Sequence, residues 1–171
     1  MIAAHRSSNP TSNMIEPTYK LPPDCVMRPA CASDIWAIRK LVLFAKLDPT
    51  QIRWSQFWVI ECKERVVACG QLRNFSGAQE LGSLVVDPAW RGRGLGRYLV
   101  KHLIQVATEP LYLECLGSQL AEFYTRFGFV PIAWQNLPPP LKRKFGVSQL
   151  ATRLLPMLHV TIMQYKGTEL S

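Results

Sequence analysis

Between Leu84 and Gly96 the chain reads Leu-Val-Val-Asp-Pro-Ala-Trp-Arg-Gly-Arg-Gly-Leu-Gly, an apolar strand run that turns through glycines into a helical pattern. Glycines let a backbone fold close to a ligand and turn its amides toward an anion, and the N-terminus of the following helix adds partial positive charge. Arg91, Arg93 and Arg97 add full charges beside Gly92, Gly94 and Gly96. Any fold that carries this segment must bring a strand end, a tight turn and a helix start to one phosphate-sized hollow. A P-loop would need Gly-Lys-Ser or Gly-Lys-Thr, and a dinucleotide fingerprint would need GxGxxG. Neither occurs here.

The segments around this turn alternate between strand and helix patterns. Cys25 to Pro29 reads as a first strand, and Ser33 or Asp34 then caps a helix with Ile35, Ile38, Val42 and Ala45 on its apolar face. Asp48-Pro49 predicts a second, short helix ending at Gln56. Phe57 to Cys62 and Val66 to Leu72 form a hairpin, a turn follows at Asn74 to Gly77, and Gln79 to Val86 is a further strand. The run Leu84-Val85-Val86 after Gly82 breaks simple alternation, as a central or bulged strand would. Gly94 to Thr108 is helical, with Leu95, Leu99, Leu103 and Val106 on one side. Leu111 to Cys115 is a buried strand, and Ser118 caps a helix that ends at Gly128. Phe129 to Trp134 returns as strand, Leu141 to Leu155 holds an irregular helix after three prolines, and Leu158 to Tyr165 is the last strand. The sum is one mixed α/β domain over residues 24–171, preceded by a mobile Ser-, Asn-, Thr- and Pro-rich leader over 1–23 in which Met14 offers an internal start.

The net charge of +8 favours a polyanionic partner: nucleic acid, an anionic membrane or a phosphorylated cofactor. No nucleic-acid-binding motif accompanies it and no apolar run is long enough to span a membrane, so neither partner is expected. The five cysteines are odd in number and lack a CxxC pair, so neither a disulfide framework nor a zinc site is indicated. A reducing, cytoplasmic setting is the simpler reading. His5, His102 and His159 are scattered and form no metal or triad pattern, so no metal is expected.

The Arg/Gln-x-x-Gly-x-Gly/Ala signature of the GCN5-related N-acetyltransferase (GNAT) superfamily resembles this turn, through Arg91, Gly94 and Gly96. Downstream, Leu120-Ala121-Glu122-Phe123-Tyr124-Thr125-Arg126-Phe127-Gly128-Phe129 is similar to the family's second signature, an aromatic helix ending in Gly-Phe. Upstream, Met27-Arg28-Pro29-Ala30 and Asp34 resemble its first strand and helix start, so the resemblance spans roughly Cys25 to Ile132. It implies the GNAT fold, a mixed sheet of six to seven strands flanked by about four helices, with a central strand pair that splays apart. It also implies acetyl-CoA as co-substrate and direct transfer of the acetyl group to a primary amine of a small molecule, amino acid or protein. Leu84, Val85 and Val86 would then line the pantetheine arm, and Arg91, Gly92, Arg93, Gly94, Leu95, Gly96 and Arg97 would hold the pyrophosphate.

Transfer to an amine needs a neutral nitrogen, because an alkylammonium with a pKa of about 10.4 is mostly protonated at neutral pH. Glu80 stands where several family members carry the general base, and Tyr124 where a tyrosine protonates the departing thiolate; a strand carboxylate and a packing aromatic are the plainer readings. Many relatives place a cofactor-contacting asparagine where Gly117 stands here. A non-catalytic acetyl-CoA sensor is the alternative, a basic nucleic-acid binder a weaker one, and a homodimer is compatible with either. Lys142-Arg143-Lys144 could read an acidic acceptor, although such a run is more often a solvated face. Trp36, Trp54, Phe57, Trp58 and Trp134 are expected to divide between core and acceptor pocket.

Overall fold

A computed structural model describes residues 20–154 and 160–167 of the chain. The elements run β1 (Cys25–Pro29), α1 (Ile35–Phe44), β2 (Phe57–Cys62), β3 (Arg65–Phe75), β4 (Ala78–Val86), α2 (Leu95–Val106), β5 (Leu111–Leu116), α3 (Ser118–Thr125), β6 (Phe129–Pro131), α4 (Pro139–Leu154) and β7 (Val160–Tyr165). The strands form one seven-stranded sheet in the order β1-β2-β3-β4-β5-β7-β6. The first four strands are antiparallel to their neighbours, β1 and β2 across α1 and the rest through hairpins, and the α2 crossover brings β5 back parallel to β4. This is the architecture expected from the resemblance.

Both faces of the sheet are covered. On one, Ile38, Leu41 and Val42 of α1 pack on Phe57, Val59, Cys69 and Val85, and Leu141 and Phe145 of α4 pack on Ala78, Tyr112 and Ile162. On the other, Leu99, Val100 and Leu103 of α2 are fully buried over Leu81, Leu113, Ile60 and Ala68. Leu81 and Val85 are an even number of residues apart yet sit in clusters on opposite faces. The cause is a bulge: Gln71 pairs with Gly82 and Cys69 with Val85, so Gly70 faces both Ser83 and Leu84, and Ser83 takes a φ of 48°. One extra residue in a period-two strand moves every later side chain to the other face.

Several local expectations change. Asp48 does not start a helix: its carboxylate accepts from the Thr50 amide at 2.8 Å and hydroxyl at 2.6 Å, a local turn, and only a 3-10 turn forms at Trp54–Gln56. Gly117, at φ 82°, takes the cap position before α3 in place of Ser118. Pro131, without an amide hydrogen, closes β6, and Trp134–Asn136 coils into a 3-10 turn. Helix α4 starts earlier than predicted, at Pro139, where a proline costs no helical hydrogen bond. The predicted leader up to residue 19, Leu155 and the Leu158-His159 start of the last strand lie outside the described residues.

The cysteine reading is also corrected. Cys25 and Cys62 form a disulfide, with Cα atoms 4.1 Å apart. The antiparallel β1–β2 register sets these residues directly opposite each other, which cysteine spacing alone did not reveal. Cys31, Cys69 and Cys115 are free.

Candidate active site

Strands β4 and β5 pair only at Gln79 with Leu111 and Glu80 with Tyr112. Beyond this point they diverge, and β5 turns its other edge to β7 through Tyr112 to Leu116. The β4 backbone after Glu80 thus presents amides and carbonyls to an open gap, and backbone groups without a strand partner are ready to bind a ligand.

The gap leads to a groove of about 500 Å³ at the glycine turn. Asp87 fixes the turn by accepting from the Ala89 amide at 2.9 Å, with Pro88 opening a short 3-10 segment. Gly92 and Gly94 have φ of 75° and 79°, conformations that a side chain would resist. Gly94 caps α2 without a side chain, so no hydroxyl or carboxylate covers the first amides of the helix. A Cβ added at Gly96 would stand 3.6 Å from Val86 Cγ2, inside the groove. Leu84, Val85, Val86, Arg91, Gly92, Gly94, Leu95, Gly96 and Arg97, all singled out from the sequence, line it. Arg93 does not: its guanidinium lies 4.7 Å from the Trp90 ring centre and donates to the Ala89 carbonyl at 3.4 Å. Arg91 donates from Nε to the Val86 carbonyl at 3.2 Å, which braces the end of β4. Uncapped helical amides, a hollow that a Cβ would fill, and nearby guanidinium groups suit a pyrophosphate joined to a slender arm.

On the α1 and α4 face, Glu80 is 4% exposed and accepts from Arg73 Nη1 at 2.9 Å, while Lys144 Nζ on α4 stands 3.9 Å from the same oxygen. Arg73 Nη2 donates to the bulge residue Ser83 at 2.9 Å. Glu80 Oε2 and Arg73 Nε are buried with no hydrogen-bond partner. Sequence reasoning found Glu80 and missed Arg73, because it ended the strand at Leu72; β3 runs on to Phe75 and sets Arg73 opposite Glu80. The Lys142-to-Lys144 run divides: Lys142 reaches the Gln135 carbonyl at 2.8 Å and Lys144 turns to Glu80.

Tyr124 is 7% exposed and packs with Cys115, Phe127 and Phe129, its ring 5.2 Å from Phe123 and 5.7 Å from Phe129. Burial, and to a lesser degree Cys115, raises its phenol above the ordinary value, so it stays protonated. Leu120 and Phe123 of the same helix, together with Trp90, face the groove and were not singled out from the sequence. Burial lifts the Cys115 thiol to about 11, with a smaller push from Glu114, which makes it a poor nucleophile at neutral pH. Of the aromatics left open above, Phe57 is core, Trp58 packs edge-on to His102 at 4.0 Å, Trp134 covers the α4 cluster, and Trp36 and Trp54 are exposed.

Residues 53–131 match the acetyltransferase (GNAT) domain. An amino-acid acetyltransferase of Mycobacterium tuberculosis is 35% identical over 126 residues, covering 65% of this chain and 72% of that protein. The chain belongs to the GNAT acetyltransferases. Its catalytic class is acyl transfer from acetyl-CoA to an amine. Among solved structures, a GNAT-fold likeness is shared with Rv2747 of M. tuberculosis in complex with CoA, at a TM-score of 0.65 and 27% identity over 82% of this chain and 98% of that one. The N-acetylglutamate synthase of Neisseria gonorrhoeae, complexed with coenzyme A and N-acetyl-glutamate, gives a TM-score of 0.65 at 20% identity, over 82% of this chain and 35% of that chain. The second likeness is one of fold.

Proposed function

We propose that this GNAT enzyme acetylates the α-amino group of a free amino acid, and the observation that carries the reading is the buried Arg73-Glu80-Lys144 cluster. Two cations face one carboxylate, so the cluster keeps a net positive charge. Its orphaned atoms are one acceptor, Glu80 Oε2, and one donor, Arg73 Nε. A zwitterion supplies what both lack: an ammonium for Glu80 and a carboxylate for Arg73 and Lys144. Leaving such groups unpaired costs about 1–3 kcal/mol each, a cost that a bound zwitterion removes. The amino-acid acetyltransferase name of the M. tuberculosis relative points to the same substrate class.

In this scheme acetyl-CoA supplies an activated acetyl group on its thioester. The first amides of α2 with Arg91 and Arg97 would hold its pyrophosphate, and Leu84 to Val86 would line its arm in the open gap. Glu80 receives the proton that the acceptor ammonium must lose, and the freed nitrogen forms the amide bond as the carbon–sulfur bond breaks. Tyr124, protonated and at the β5 side of the split, returns a proton to the departing thiolate. Transfer is direct, without a cysteine acyl-enzyme. The cytoplasm remains the proposed compartment.

The test is a panel of free amino acids, their amides and simple alkylamines, assayed by CoA release. Turnover confined to acceptors with a free carboxylate, and a KM for them raised by Lys144→Met, supports the reading. Equal turnover of the amides and alkylamines would remove it.

A further inference from the structure

We propose that Tyr112 and Gln164 determine acceptor specificity as a pair: the Tyr112 hydroxyl, held by Gln164, donates a hydrogen bond to the carboxylate of the acceptor amino acid. Resting on the amino-acid reading above, the pair adds a directed, uncharged donor to the two cations, Arg73 and Lys144, already assigned to that carboxylate.

Strand register places the pair. Arg73 lies opposite Glu80, Glu80 opposite Tyr112 and Tyr112 opposite Gln164. Register partners on neighbouring strands project to the same face, so these side chains stand in one row across β3, β4, β5 and β7. Glu80 and Tyr112 are the last partners before β4 and β5 part, which puts Tyr112 at the head of the gap. On this face Tyr112 packs with Leu141 and Phe145 of α4. Lys144, from the same turn of that helix, reaches Glu80. One helix therefore covers Tyr112 and brings a cation to the carboxylate beside it.

Packing accounts for the Tyr112 ring but not for its hydroxyl. The residue is 6% exposed, and a phenylalanine would fill the same space among Ala78, Leu141, Phe145 and Ile162. Gln164 Nε2 stands 3.2 Å from the hydroxyl. An amide N–H can only donate, so the phenol oxygen accepts and its own hydrogen is left to give. Burial raises the phenol above its ordinary value, which keeps that hydrogen in place at neutral pH. No described residue receives it, and Glu80 Oε2, next along the row, has no partner either. The row thus holds a free acceptor and a free donor on the two strands that flank the split. An α-amino acid separates its ammonium from its carboxylate by a single carbon, so a molecule whose nitrogen meets Glu80 can turn its carboxylate to the neighbouring donor. An amine without a carboxylate leaves the buried hydroxyl hydrogen unspent, and hydrogen bonds to charged groups are the stronger kind.

The test compares kcat/KM for free amino acids and for their amides in the full chain, as wild type, Tyr112→Phe, Gln164→Glu and the double variant, beside acetyl-CoA KM and melting curves. Tyr112→Phe should cut the preference for the free acid by about tenfold to a hundredfold, through the KM of the amino acid, with acetyl-CoA KM and melting temperature nearly unchanged. Gln164→Glu keeps the hydroxyl but gives its hydrogen a carboxylate to bond, so a similar loss is expected. The double variant should then lose no more than either single one. A Tyr112→Phe enzyme that keeps the wild-type preference, or losses that add in the double variant, would overturn the role of the pair and leave the amino-acid reading standing. A wild type with no preference for the free acid would remove that reading and the pair's role with it.

Discussion

Arg73 and Glu80 face each other across the β3–β4 hairpin, guanidinium Nη1 to carboxylate Oε1 at 2.9 Å, with side chains only 8% and 5% exposed. Removing one partner of a buried pair leaves an uncompensated charge, at a typical cost of about 3–5 kcal/mol. Arg73→Met leaves Glu80 with Lys144 at 3.9 Å, and Glu80→Gln leaves two cations without a carboxylate, so both are expected to lower the melting temperature. Glu80→Gln should in addition cut turnover by about a hundredfold or more at temperatures where it stays folded. A Glu80→Gln enzyme with wild-type turnover at every pH would show that the carboxylate only holds Arg73.

Tyr124 makes no hydrogen bond through its hydroxyl to any of the described residues, so Tyr124→Phe should leave thermal stability nearly unchanged. Burial holds the phenol protonated through neutral and mildly alkaline pH. If it protonates the thiolate, Tyr124→Phe lowers kcat by about a hundredfold with little change in acetyl-CoA KM. Steady-state kinetics beside a melting curve separates the two effects.

Gly96→Ala distinguishes the groove from the fold. The new methyl meets Val86 at an ordinary 3.6 Å, and alanine suits a helix better than glycine by about 1 kcal/mol. Stability should hold or rise, whereas the acetyl-CoA-induced melting shift should shrink because the methyl projects into the groove. An undiminished shift would place the pyrophosphate elsewhere.

The Arg28 guanidinium holds the Asp34 carboxyl down to about 2 from its ordinary 3.8, with the Cys31 amide assisting. Because the folded form binds this proton less readily, Asp34 contributes stability that is fully present above about pH 4 and lost as pH falls toward 2. The contribution is about 2 kcal/mol. Chemical denaturation from pH 6 to pH 2 should show this loss in the wild type and a shallower one in Asp34→Asn.

Reducing the Cys25–Cys62 bond, which closes a chain separation of 37 residues, should lower stability by about 2–4 kcal/mol. Melting curves with and without a strong reductant test this, with Cys62→Ser as the control that no longer responds. Acetyl-CoA affinity should not change, since neither cysteine lines the groove.

The glycine turn and the elements beside it were legible in the sequence because their determinants are local. Glycines at Gly92 and Gly94 permit the positive φ values, Asp87-Pro88 sets the entry, and Leu95, Leu99 and Leu103 repeat at helical spacing. The run Leu84-Val85-Val86 after Gly82 was read as a central or a bulged strand, and the β3–β4 register decides for the bulge. What the sequence did not reveal depends on groups distant along the chain. The pairing of Cys25 with Cys62 follows from strand register, and the meeting of Lys144 with Glu80 from the packing of α4 on the sheet. A chain of local preferences decides which segment becomes strand, turn or helix; only burial on a shared sheet decides which charges are left facing one another.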